Sequence, residues 1–252
     1  MKETINLSIG IFNEYFRDKI FYFIFSLSLL LLLSSFILQE MVVGEPGKVF
    51  KDMALNGITL FAVAVPVFIT SQMISNQIQR KSIYLILSFP FSYSSIITAH
   101  LLAALYIIFI SIVSYGLLAF ALILPFEVWV LPIIIHAFLS LFLGLLLSSW
   151  AILFSSVTTT TLSALSTFII YMVGSTFQTA LEYSQQSGNP MYFVLKIIGY
   201  IVPNTTVFDL KPELIYRLNF SKSILWLAPI YSISAAIVLI AISSFILSRR
   251  EL

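Results

Sequence analysis

Hydroxyl and amide side chains are concentrated in one otherwise apolar stretch of the chain, between residues 158 and 178. Thr167, Tyr171 and Gln178 follow one another at intervals of four and seven residues, and these spacings place side chains on one face of a helix. Such groups can hydrogen-bond a polar molecule where the surroundings offer it no other partner. Alternatively, each hydroxyl bonds a backbone carbonyl of its own helix. We expect the three residues to face a central cavity or seam rather than lipid.

Several kinds of catalytic chemistry are missing from the chain. Its Gly47-Lys48 pair is not a phosphate-binding loop, because Val42 stands where the first glycine belongs and Val49 follows the lysine. Cysteine, HExxH and Gly-x-Ser-x-Gly are all absent, which removes thiolate, zinc and serine chemistry. For His100 and His136 we expect packing or interfacial roles. The sequence therefore predicts no enzymatic activity and no cofactor or metal bound by this chain.

The composition places these polar groups in a membrane protein. Of the 252 residues, 60% are hydrophobic and 10% are charged, whereas a soluble domain has about 45–50% apolar and about 25% charged residues. A chain this apolar lacks the polar surface to cover a soluble core. The net charge of +2, from 13 basic and 11 acidic residues, is too balanced for nucleic-acid binding. We expect an integral membrane protein whose immediate partner is the lipid bilayer.

Charge-free stretches predict an all-α fold with six transmembrane helices in one domain, residues 1–252. A hydrocarbon core of about 30 Å needs about 20 helical residues, so the stretch 128–181 must cross twice, with a break in the Ser/Thr-rich run 155–161. A second break is expected at Pro90, because proline disrupts a helix interior. The predicted spans are 20–38, 57–74, 96–124, 130–154, 158–181 and 224–247.

These predicted spans contain no Asp, Glu, Lys or Arg. Ion-coupled carriers need ionisable groups or unwound helices inside the membrane, so the absence of charge argues against that class. Six crossings place both termini on one side. Lys and Arg are slightly enriched at the termini and in the 75–95 loop, and we therefore expect this side to face the cytoplasm.

Three helices are predicted outside the spans. Residues 1–19 predict a helix in the membrane interface, with an apolar face formed by Ile5, Ile9, Phe12 and Phe16. Residues 76–89 predict a short helix that Asn76 caps and Pro90 ends. The apolar run 191–202 is too short to cross and predicts a re-entrant or surface helix before the last span.

This arrangement resembles the permease subunits of ABC transporters, specifically the type-2 exporter family, over nearly the whole chain. Arg80–Pro90 is similar to that family's coupling helix. The shared pattern is a basic residue, then Gly or Lys, then Thr or Ser, followed by a leucine-rich run and a proline preceded by any residue. Pro203–Leu210 is similar to an outer-loop segment of permeases for multicopper-enzyme maturation. Family members usually carry acidic residues around the coupling helix, where this chain has Gln77, Gln79 and Tyr84.

The resemblance implies the membrane-spanning subunit of an ATP-driven exporter in the cell (cytoplasmic or inner) membrane. It implies a second permease copy as a homodimer and two cytoplasmic ABC ATPase subunits that bind ATP and Mg. The coupling helix at about 76–89 would dock into the ATPase through Gln79, Arg80, Lys81, Ser82 and Leu85. The translocation path would include Thr167, Tyr171 and Gln178, and the outer-loop residues would be Pro203, Asn204, Phe208 and Asp209.

Other classes of membrane protein stay open from the residues alone. A secondary carrier or channel would transport without ATP, and a non-transporting scaffold would purify without an ATPase. The sequence does not distinguish lipid-linked molecules, peptides and a metal-enzyme maturation factor as substrates, nor export from lipid flipping.

Overall fold

The computed structural model describes residues 2–41, 46–79, 92–123, 131–186, 193, 199, 202–216 and 218–249. Every regular element in these ranges is a helix, and six helical segments are long and apolar enough to cross a membrane. The predicted all-α, multi-pass fold is thereby confirmed. The six segments are Lys19–Leu38, Gly47–Gln79, Tyr93–Leu122, Leu131–Val157, Thr160–Gln178 and Ile224–Arg249.

The helices are numbered here in chain order. They are α1 (Lys2–Phe16), α2 (Lys19–Met41), α3 (Pro46–Ala64), α4 (Ser71–Gln79), α5 (Tyr93–Ile123), α6 (Leu131–Val157), α7 (Thr160–Gln186), α8 (Lys211–Tyr216) and α9 (Ile224–Arg249). A π-helix over Val65–Thr70 joins α3 to α4, and a 3₁₀ helix covers Thr206–Phe208. The end of the bundle that contains the loop between α7 and α9 is called the loop side, and the opposite end is called the terminus side.

The second span is one continuous rod with a wide turn at Pro66. Proline has no N–H, and in an α-helix its ring clashes with the carbonyl four residues earlier. The π-helix accommodates it, since the N–H of Ser71 bonds the carbonyl of Pro66, five residues earlier. The Ser71 hydroxyl and the Gln72 amide donate to the carbonyls of Val67 and Phe68. The rod of 33 residues, Gly47–Gln79, is about 50 Å long and extends well beyond the predicted 57–74.

The predicted break between the fourth and fifth spans is confirmed, because α6 ends at Val157 and α7 begins at Thr160. The Thr158 hydroxyl and N–H both donate to the Phe154 carbonyl at 2.8 Å, closing the last turn of α6. Ser163 of α7 donates to the carbonyl of Ala151 at 3.1 Å. The two helices are thus antiparallel neighbours joined by a short turn.

Helix α6 is at the centre of the bundle, where it packs against α3, α5, α7 and α9. The spans of α5, α6 and the second rod are mostly buried, whereas α2, α7 and α9 are mostly exposed. The exposed faces are apolar, as a helix face in contact with lipid must be.

The predicted N-terminal helix is present as α1, which packs against α5. Its buried side consists of Ser8, Ile11 and Tyr15, and the Tyr15 hydroxyl reaches the Met73 carbonyl at 3.5 Å. Of the predicted apolar face, Phe12 and Phe16 contact the core, while Ile5 and Ile9 are exposed. The helix therefore combines packing on the bundle with an exposed apolar edge.

Candidate functional site

The segment Val202–Tyr216 enters the bundle from the loop side and passes close to α7. A Cβ on Gly174 would lie 2.4 Å from the Pro203 carbonyl oxygen and 3.1 Å from the Thr205 methyl carbon, so the approach requires glycine. Gln178, the loop-side end of the candidate span in α7, lies four residues after Gly174, about 6 Å along the helix. The segment Val202–Tyr216 therefore reaches past the loop-side end of this span, and it is called the re-entrant segment. Of the predicted re-entrant run 191–202, only 193, 199 and 202 lie among the described residues.

A network around Asn204 fixes the tip of this segment. The Asn204 side-chain oxygen accepts the Thr206 N–H at 3.1 Å and the Thr206 hydroxyl at 2.6 Å. The Asn204 N–H donates to the phenol oxygen of Tyr231 on α9 at 3.1 Å. The Phe208 ring is buried, with its centroid 6.3 Å from that of Tyr231.

The structure gives the predicted outer-loop residues unequal positions. Pro203 and Phe208 are buried against the helices, and Asn204 is half-buried. Asp209 is exposed beside Lys211, with a distance of 3.6 Å between Oδ2 and Nζ. Three of the four predicted residues thus anchor the re-entrant segment, and the fourth faces outward.

A polar cluster that the sequence did not predict links this segment to the second span. Lys211 Nζ donates to Asn56 Oδ1 at 3.0 Å, and Asn56 Nδ2 donates to Asp52 Oδ1 at 3.0 Å. Lys51 is also buried, with 4% of its surface exposed. The predicted span 57–74 contains no charged residue, but the helix that includes it begins earlier and carries Lys48, Lys51 and Asp52 before the span. Proline is favoured at the first position of a helix, so Pro46 in the sequence could have indicated that this helix begins before residue 57.

His136 extends this polar region into α6. It is buried, and its Nε2 is 2.8 Å from the Thr59 hydroxyl, which donates to the Leu55 carbonyl at 3.1 Å. Either Nε2 or the Thr59 hydroxyl can supply the hydrogen of this bond, depending on the imidazole tautomer. Nδ1 is buried and has no partner among the described residues.

The polar face of α7 turns toward the interior of the chain. Thr167 is buried and donates to the Ser163 carbonyl of its own helix at 2.8 Å. This is the alternative stated for the sequence, in which a hydroxyl bonds the backbone of its own helix. Tyr171 and Gln178 are half-buried, and Tyr171 packs against the core. The opposite, exposed face of α7 is formed by Leu162, Leu165, Phe168, Ile169 and Met172. A translocation path along this polar face stays a prediction.

The predicted cap at Asn76 is wrong, because residues 76–79 continue α4, which begins at Ser71. Of the predicted coupling helix 76–89, the structure describes these four residues. Gln79 is exposed at the end of α4, while Arg80, Lys81, Ser82 and Leu85 lie outside the described residues. Gln77 Oε1 is 3.1 Å from Nε2 of His100 on α5, whose Nδ1 is 2.7 Å from the Ile96 carbonyl.

A second contact attaches α4 to the turn between α6 and α7. The Ser75 hydroxyl lies 3.1 Å from the Ser155 carbonyl and 3.3 Å from that of Thr158. Together with the contacts of His100 and Tyr15, it connects α4 to α1, α5, α6 and the start of α7.

Comparisons with known proteins give no family for the chain. No family model matches the sequence, and no curated protein matches it. Within the described ranges, no three His, Asp or Glu side chains come together as a metal site. The structural observations that bear on function are therefore the six spans, the anchored α4 and the re-entrant segment.

Proposed function

We propose that the chain is the permease subunit of an ATP-driven ABC exporter, with its loop side outward and both termini in the cytoplasm. The observation that carries the proposal is the attachment of α4. Gln77, within the predicted coupling segment 76–89, contacts His100 of α5, and Ser75, directly before it, bonds the α6–α7 turn. A displacement of residues 76–89 would thus reach several spans at once.

The π-helix supports the same role for the second span. π-turns lack the regular α-helical bonding and are frequent at functional sites, and here the turn separates α4 from the buried α3. In the proposed mechanism, ATP binding closes two partner ATPases, which supply the ATP and Mg chemistry. The closure moves residues 76–89, α4 pivots at Val65–Thr70, and the bundle opens toward the loop side.

The proposed assembly contains a second copy of the chain in the cell membrane, as in the family that it resembles. The polar face of α7, with Thr167, Tyr171 and Gln178, would line the path once the bundle opens. Its present inward orientation fits a closed state, because a polar face exposed to hydrocarbon would leave its groups without partners.

Co-purification from native membranes with a tagged chain tests the proposal. We expect a protein with phosphate-loop motifs to accompany the wild type, and Leu85→Asp to lose it, because a charge at the contact would have to be desolvated. Tyr183→Asp is the matched control, since Tyr183 is 74% exposed and lies near the loop-side end of α7. The proposal fails if no ATPase accompanies the wild type, or if Leu85→Asp retains it.

A second candidate, an ion-coupled carrier, is favoured by two observations. The helix of the second span carries a buried lysine, Lys51, and a helix irregularity at Pro66, and both features occur in carriers. Transport in vesicles that depends on an ion gradient and is unaffected by ATP depletion would favour this class. Loss of that transport in Lys51→Gln would assign the coupling to this side chain.

A further inference from the structure

A groove opens on the side of the bundle between α6, α9 and the tip of the re-entrant segment. Its volume is about 520 Å³, within the range of about 300–1,000 Å³ typical of small-molecule sites. It is lined by Leu146 and Trp150 of α6, by Gly199, Val202, Pro203 and Asn204, and by Tyr231, Ser234, Ala235, Val238 and Leu239 of α9.

The polarity of the groove changes with depth. Tyr231 and Ser234 lie nearer the loop-side end of α9, and the Asn204 N–H bonds Tyr231 there. Val238 and Leu239 lie about 10 Å further along the helix. On α6, Leu146 and then Trp150 continue in the same direction. One end of the groove is therefore hydrogen-bonding and the deep end is apolar.

The groove faces the space that the bilayer occupies. Its floor includes the buried Pro203 and Leu239, while Val238 on its rim is 58% exposed. The rim continues into the exposed apolar face of α9, which includes Leu227, Ile230, Ile233, Ile237 and Ile242. Because α9 is a candidate membrane span, the molecules next to the opening are lipids.

The polar end presents hydrogen-bond donors. The Tyr231 phenol oxygen accepts from the Asn204 N–H, and its own hydrogen has no acceptor among the described residues. The Asn204 side-chain oxygen already accepts two hydrogen bonds from Thr206. The side-chain N–H groups of Asn204 therefore remain as donors for a ligand. A ligand here must carry an acceptor at one end of an elongated apolar body.

We propose that this groove binds one acyl chain of a membrane phospholipid, with the ester carbonyl at Tyr231 and Asn204 and the hydrocarbon extending toward Leu239 and Trp150. A bilayer lipid has this polarity, because its esters lie near the membrane surface and its chains extend toward the midplane. The site does not depend on whether the chain transports. It is lined mainly by α6 and α9, although its residue Pro203 also approaches Gly174 of α7.

Lipid retention measured by native mass spectrometry tests the site. The chain is reconstituted in vesicles of dioleoyl phosphatidylcholine, extracted into detergent and weighed intact. We expect one retained lipid per chain in the wild type and about tenfold less in Val238→Trp, whose indole fills the groove. Ile237→Trp, at a neighbouring position that is 63% exposed and outside the groove, should retain lipid as the wild type does. Ala235→Leu is a second groove-filling variant in case Val238→Trp folds poorly.

An ether analogue of the same chain length tests the polar end, because it lacks the ester carbonyls. We expect the wild type to favour the ester lipid about fivefold, the effect of one hydrogen bond, and Tyr231→Phe to reduce this preference to near unity. The site is refuted if the wild type retains no lipid, or if the variants at 237 and 238 retain it equally. An ester preference unchanged in Tyr231→Phe would overturn the role of the phenol.

Discussion

Lys211 Nζ lies 3.0 Å from Asn56 Oδ1, which joins residues 155 positions apart in the sequence. The bond connects the short helix α8, at the end of the re-entrant segment, to the middle of α3. Asn56 in turn donates to Asp52, and Lys211 also lies near Asp209. The segment that enters the bundle is therefore held at its tip by Tyr231 and at its far end by Asn56.

We predict that Lys211→Ala loosens the re-entrant segment. Amide hydrogen exchange at 203–210 should become several-fold faster, and a double-mutant cycle with Asn56→Ala should give a coupling energy of about 1 kcal/mol in the free energy of unfolding. Lys222→Ala is the control, because Lys222 is exposed in the loop before α9. Equal exchange in the Lys211 and Lys222 variants would show that the bond does not hold the segment.

A second prediction concerns Gly174, whose missing side chain leaves room for the re-entrant segment. Gly174→Ala places a methyl group against the Pro203 carbonyl, and should lower the free energy of unfolding by about 1–3 kcal/mol. Gly116→Ala, also in a helix but with no atom within 4 Å of the added carbon, should raise it by about 0.5–1 kcal/mol. Differential scanning fluorimetry in detergent measures both shifts. A stabilised Gly174→Ala variant would contradict the packing described here.

The helical segments were predictable because hydrophobic length alone determines them. The stretch 128–181 is too long for one crossing, and its run of hydroxyl residues marks the break that the structure places between Val157 and Thr160. The start of the helix that contains the second span was not predictable from charge, since Lys48, Lys51 and Asp52 resemble loop residues when no partners are known. In the fold Lys51 is buried, and Asp52 accepts from Asn56, which contacts Lys211 155 positions away.

The candidate site was predictable only in part. The sequence singled out Pro203, Asn204 and Phe208, but not that Asn204 bonds Tyr231 or that Gly174 admits the segment, because both are contacts between remote elements. The π-helix could not be predicted either, since a proline within an apolar run is compatible with a kink, a break or a wide turn. Periodicity identified one face of α7, but it cannot say which neighbour that face meets.

A third prediction tests the topology in this cysteine-free chain. Asn13→Cys in α1 and Asn219→Cys before α9 are at exposed positions at opposite ends of the proposed arrangement. In intact cells, a membrane-impermeant maleimide should label the cysteine at 219, and the cysteine at 13 only after the membrane is permeabilised. Labelling of both positions from outside would exclude termini in the cytoplasm.

The last prediction concerns the contact between α4 and α5. His100 is buried, with Nδ1 against the Ile96 carbonyl and Nε2 against the Gln77 side chain. His100→Leu leaves Gln77 without this partner and should cost about 1–3 kcal/mol of stability. If α4 transmits movement from residues 76–89, the same variant should also lower transport per hydrolysed ATP, because α5 no longer follows α4.

His100→Gln is the matched variant, since its amide can still bond Gln77 and should preserve most of the coupling. The decisive measurement is the ratio of transport to ATP hydrolysis for the complex reconstituted in vesicles, at a temperature where both variants remain folded. A stability loss with an unchanged ratio in His100→Leu would make the contact a packing feature alone. If the ratio is lowered in His100→Leu but close to wild type in His100→Gln, the hydrogen bond between α4 and α5 is part of the coupling pathway. A packing defect alone would not be corrected by a side chain that only replaces this hydrogen bond.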